Sequence, residues 1–120
     1  MNVALTAGLL TLLWAIVHLF LGGREVARPL REAIDLPELV RATAWMCWHM
    51  VTATLFLVAA LFLVGGWADR PDLVVAATLL SAGIAVAGIL AAPALGVSYR
   101  TLPQGWLFVP VSGLGLWAMY

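Results

Sequence analysis

Two histidines, His18 and His49, are the side chains of this chain best suited to chemistry, because both fall inside long apolar stretches. Ionisable groups in such places are costly and mark functional sites by default. Neutral imidazole is a common ligand for haem and for metal ions, and it also relays protons. Trp45 and Trp48 stand beside His49, and Arg24, Arg28 and Arg41 flank the same stretches. Arginine suits phosphate and carboxylate. Tryptophan ordinarily anchors at a membrane interface, and stacking on a flat group is its alternative use. Arg100 falls on the same face in the topology argued below and can close such a site. His18 and His49 are therefore the cofactor-binding candidates, and Arg24, Arg28, Arg41, Trp45, Trp48 and Arg100 the ligand-binding ones.

Three chemistries compete for the histidines. In one they hold haem or a metal ion, extended by Met46, Cys47 or Met50 as soft donors. Spacing weakens that reading, since Cys47 is two residues from His49 and points about 160° away on a helix. Met46, three residues back, is better placed, but two histidines alone make an incomplete metal site and a minimal haem site. In the second reading the imidazoles move protons or bind a polar head such as a quinone or a lipid phosphate. In the third they are structural. Each then bonds a backbone carbonyl, the other histidine, or a threonine such as Thr11, Thr43 or Thr52, at about 0.6 kcal/mol per bond within a membrane. The residues favour this third reading.

The elements that must position them follow from charge. All twelve charged residues, six basic and six acidic, lie in three short clusters. Between them, residues 1–23, 42–68, 73–99 and 101–120 carry no charge. Each stretch is about long enough to cross a hydrocarbon core of roughly 30 Å at 1.5 Å per residue. Spans are expected near 3–22, 42–64, 73–92 and 104–120, with the first retained as a helix and not cleaved as a signal peptide. Gly22-Gly23 and Gly65-Gly66 are expected to stop the first two, and Pro93 to lie just beyond the third. The fourth is the weakest, because it is short and contains Pro110, Gly113 and Gly115.

The linker from Arg24 to Arg41 has its own pattern. Val26, Leu30, Ala33 and Ile34 recur at helical spacing between charges, which reads as a short amphipathic helix in the headgroup layer. Asp35 and Glu38 have capping-box spacing, so the second span is expected to start there, with Pro37 in its first turn. Five arginines fall in the first and third connections and one, Arg70, in the second. Positive-inside bias therefore puts both termini in the periplasm. Small residues form stripes for helix contact: Ala7, Thr11, Ala15, His18 and Gly22 in the first span, and Ala77, Ser81, Ala85 and Gly88 in the third.

Composition agrees with this class. The 120 residues are 64% hydrophobic and 10% charged, with a mean hydropathy of +1.05. Soluble domains run near 45–50% apolar and about 25% charged. A net charge of zero gives no sign of a nucleic-acid partner. The chain shows no phosphate-binding glycine loop, no H-E-x-x-H and no nucleophile elbow. Nothing acidic lies within a span, which weakens an ion-coupled transporter reading.

From His18 to Thr54 the order runs His-x3-Gly-Gly-Arg, Arg-Pro-Leu, Leu-Pro, Arg41, then Cys-Trp-His-x-x-Thr. This resembles a group of small bacterial integral membrane proteins with four predicted transmembrane helices and no assigned activity. The likeness covers about a third of the chain and implies no reaction. It adds weight to His18, Arg24, Trp48 and His49.

The expected protein is all-α: a four-helix transmembrane bundle of one domain in a bacterial inner membrane, with a short interfacial helix between the first two spans. A non-enzymatic role is favoured, as an accessory subunit of a larger membrane complex, a homo-oligomer, or a small-ligand or lipid binder with its site near His18 and His49. The rival is a haem- or metal-binding redox protein using both histidines.

Overall fold

The computed structural model describes residues 2–120, which are helical apart from short connections. The first helical stretch, Val3–Glu32, is uninterrupted. It begins as α1 (Val3–Val17), widens into a π-helical segment (His18–Ala27) and ends as α2 (Arg28–Glu32). Then follow α3 (Glu38–Trp67), α4 (Pro71–Ala94) and α5 (Gln104–Trp117). Helix α1 packs against α3 and α5, and α4 packs against α3 and α5, so the four long helices close into a ring. The side-chain amide of Asn2 donates to the carbonyl of Gly66 at 3.1 Å, tying the start of α1 to the end of α3.

Three helical stretches, Val3–Glu32, Glu38–Trp67 and Pro71–Ala94, are long and apolar enough to cross a membrane. Helix α5 has 14 residues, about 21 Å of rise.

The interior is built from small side chains. Ala4, Ala7, Ala15, Ala59, Ala77, Ala85 and Ala92 are buried, and Phe62 is the largest fully buried side chain. Large apolar groups face outward instead: Phe20 is 70% exposed and Leu79 68%. Soluble proteins sort the other way. Lipid tails are as apolar as leucine, so helices associate by close approach of small residues, not by hiding large ones. Backbones meet at Gly88 and Gly105. A Cβ on Gly88 would lie 2.6 Å from the Cα of Gly105, which explains why both positions lack one. The buried hydroxyls of Thr11, Thr78 and Ser81 donate to carbonyls one turn back, at 2.8, 2.7 and 2.8 Å.

Several expected boundaries are corrected. Gly22-Gly23 does not end the first helix, which runs through it in the π-helical segment. Gly65-Gly66 lies within α3, and Pro93 lies inside α4. Bonding each amide within its own helix is what an apolar surround demands, and Gly22, Gly65 and Gly66 serve packing. A Cβ at Gly66 would meet Ala4 and Leu5 of α1 at 3.1 Å. The chain turns instead at Asp69, in the left-handed region at φ 51, where Arg70 N–H closes back on the carbonyl of Gly65 at 2.9 Å. Gly96 plays the same part after α4, with Val97 N–H on Ala92 at 3.0 Å. With Gly96 N–H also on the carbonyl of Pro93 at 3.1 Å, the second is a Schellman ending.

The capping box at Asp35 and Glu38 does not form. Helix α3 starts at Glu38, with Pro37 at the N-cap and no side-chain cap, because Asp35 sits two residues too early. The end of α2 is served from α3, where Arg41 donates from Nη1 to the carbonyl of Ala33 at 3.3 Å. Val26 and Leu30, expected with Ala33 and Ile34 in a separate amphipathic helix, continue the first helix, which ends at Glu32.

Candidate functional site

The four aromatic rings expected to share one site divide into two pairs, His18 with Trp48 and His49 with Trp45. Trp48 faces the first helix. Its indole stacks on His18, with ring centroids 4.0 Å apart and 14° between planes. The same indole covers Gly22, where a Cβ would come within 2.8 Å of Cη2. His18 opens the π-helical segment and Gly22 lies one turn further, so the widened turn supplies the seat for Trp48. Such segments recur at functional sites. Here the first consequence is packing: the aromatic stack holds the middle of the first helical stretch against α3, about three turns from the start of that helix.

The Nε2 atom of His18 and the Nε1 atom of Trp14, one turn apart, are buried without a hydrogen-bond partner among the described residues. The expected threonine partners are otherwise engaged. Thr11 donates to Ala7 and Thr52 to Trp48, both within their own helices.

His49 lies about 100° further round α3 than Trp48. It is exposed on the outer face of that helix. Its ring meets the edge of Trp45, centroids 4.1 Å apart and planes at 70°. Trp45, Met46, His49, Met50 and Ala53 line an open groove of about 440 Å³. Residues 45, 49 and 53 form one four-residue ridge of the helix and 46 and 50 the next, so the groove is the furrow between two ridges. Ala53 keeps its floor low. The guanidinium of Arg31 lies over the Trp45 ring, 5.7 Å from its centroid.

Each imidazole is thus paired with an indole and not with the other imidazole. Nor do the arginines converge on them. Arg24 and Arg100 are exposed. Arg28 pairs with Glu32 at 3.1 Å on the surface. Arg41 is committed to the carbonyl of Ala33. Near Arg100, Tyr99 Oη donates to the carbonyl of Ile89 at 3.0 Å and its ring meets Trp106 edge-on. That pattern secures the connection between α4 and α5. Of the expected set, His49 and Trp45 line the groove, while His18 and Trp48 form the helix lock.

Sequence reasoning missed Arg31 as a partner of Trp45, and it weighed Met46 and Met50 only as soft donors that could extend a metal site. Arg31 was not legible, because its reach depends on how the first helix lies against α3. The methionines were legible: 46, 49 and 50 have i, i+3, i+4 spacing, which places them on one face.

The fold and its surface define an all-helical protein with three helical stretches long and apolar enough to cross a membrane. No family model, no curated protein and no solved structure matches the chain.

Proposed function

We propose that this chain is a four-span protein of a bacterial inner membrane, with both termini periplasmic, that holds a small ligand in the groove of α3 and catalyses no reaction. The observation that carries this reading is His49. An ionisable ring stands on the outer face of an apolar helix, braced by Trp45 inside a furrow instead of hidden in the bundle. Exposure to acyl chains is costly for such a group, and a bound ligand offsets that cost. The Trp45 end of the furrow suits the interface, since tryptophan and arginine belong at headgroup depth and Arg31 lies over Trp45. The four charge-free stretches and the placement of the arginines support the topology. The fourth span is α5, extended by the residues that follow it and anchored by Trp106 and Trp117, which are exposed.

The test is native mass spectrometry of the protein released from its own membranes in mild detergent. A mass above the 12.8 kDa chain is expected, and His49→Ala should lose it. A bare chain in both preparations would overturn the reading. An accessory role makes a separate prediction: mild-detergent pulldown recovers a larger partner in fixed proportion, whereas a lone oligomer counts against it.

A further inference from the structure

We infer that the ligand of the α3 groove is a soft monovalent cation, Cu(I), bound by the thioethers of Met46 and Met50 and the imidazole of His49, with the Trp45 indole beside it. This rests on the reading of the groove as a ligand site and names the class of ligand.

The donor set points to that ion. Met46, His49 and Met50 are spaced i, i+3, i+4, so their Cβ atoms are neighbours on the helix surface, about 5–6 Å apart for the three- and four-residue steps. All three line the same furrow. Methionine is unbranched and flexible, so two thioethers can converge over it. Neither is committed to the core, Met46 being 53% and Met50 59% exposed. Thioethers with an imidazole select Cu(I) among biological metals. Magnesium and calcium require oxygen ligands, and no groove residue carries a carboxylate. Structural zinc takes four ligands of nitrogen, thiolate or carboxylate type, and the groove offers one imidazole.

Charge is consistent with a single positive ion. The three donors are neutral, so the complex keeps one charge, and an aromatic face attracts it. Trp45 already attracts a cation, the guanidinium of Arg31. Arg31 is exposed and free to move aside. The contact with Trp45 restricts the His49 ring. Cys47 is exposed on the same helix but about 160° from His49, so it serves as the control.

Silver(I) is a redox-inert probe for such a site. It is titrated calorimetrically into the detergent-solubilised full chain carrying Cys47→Ser, and Cu(I) affinity is read by anaerobic competition with bicinchoninate. One ion per chain is expected. Met46→Leu, Met50→Leu and His49→Phe should each weaken binding by more than about tenfold, the effect of losing even an outer-shell partner. Their surfaces are exposed, so circular dichroism should be unchanged. Equal affinity in the Met46→Leu/Met50→Leu double variant, or binding that needs Cys47, overturns the inference. An organic adduct in native mass spectrometry that His49→Ala removes, without silver binding, also overturns it while leaving the groove reading intact. Neither adduct nor silver binding removes both.

Discussion

His18 and Trp48 lie face to face, 4.0 Å between ring centroids, across the contact of the first helix with α3. Stacked rings of this kind contribute about 0.5–1.5 kcal/mol beyond the area they bury. The stack has an unresolved polar element, the buried Nε2 of His18. Leaving such an atom without a partner costs about 1–3 kcal/mol. His18→Phe keeps a flat ring and removes the nitrogen, so it should stabilise the bundle by about 1 kcal/mol. Reversible unfolding in SDS-containing mixed micelles measures this. Destabilisation would mean that Nε2 has a bonding partner in the membrane.

Gly22 and Gly23 separate packing from helix propensity. A Cβ at Gly22 would press on Trp48, whereas one at Gly23 would meet nothing within 4 Å. Gly23→Ala should be neutral or stabilising by up to about 1 kcal/mol. Gly22→Ala should lie about 1–3 kcal/mol below it. Equal stabilities would show that the indole can leave its seat without loss.

The α4–α5 crossing gives a sharper contrast. A Cβ at Gly105 would run into the backbone of Gly88 and Ile89, which cannot turn away as a side chain can. Gly113 has open space around it. Gly105→Ala should cost more than about 3 kcal/mol, at or beyond the upper end for overpacking, and Gly113→Ala almost nothing. The same micelle unfolding assay reports both, and tolerance of Gly105→Ala would place α5 elsewhere.

Topology is tested by cysteine labelling in a Cys47→Ala background. With whole cells and an impermeant maleimide, Arg70→Cys and Tyr120→Cys should label from outside and Arg28→Cys only after lysis. A protected Tyr120→Cys with accessible Arg70→Cys would mean that α5 does not cross.

Arg31 competes with any cation in the groove, because its guanidinium already lies over Trp45. Arg31→Gln removes a like charge from beside the proposed ion and should tighten silver binding severalfold. The gain should shrink at high salt, since exposed charges are screened over about 8–10 Å at physiological ionic strength. Weaker silver binding in Arg31→Gln would show that the arginine supports the groove instead of competing for it.

The amino-acid sequence by itself determined that the chain is helical and built for an apolar surround, because clustered charges and long uncharged runs leave few alternatives. It also marked the small-residue stripes: Ala77, Ser81 and Ala85 are buried as their spacing implies. Helix ends were less legible. A glycine pair stops a helix only where the chain can turn into water or a left-handed residue, and at Gly22, Gly65 and Gly66 packing claims the residue instead. Only the tertiary structure decided which ring each histidine meets. Neighbouring positions on a helix differ by about 100°, so Trp48 turns to the first helix while His49 turns out to the furrow. The rotation of α3 against its neighbours sets that difference, and the close approaches at Gly8, Gly22 and Gly66 set the rotation.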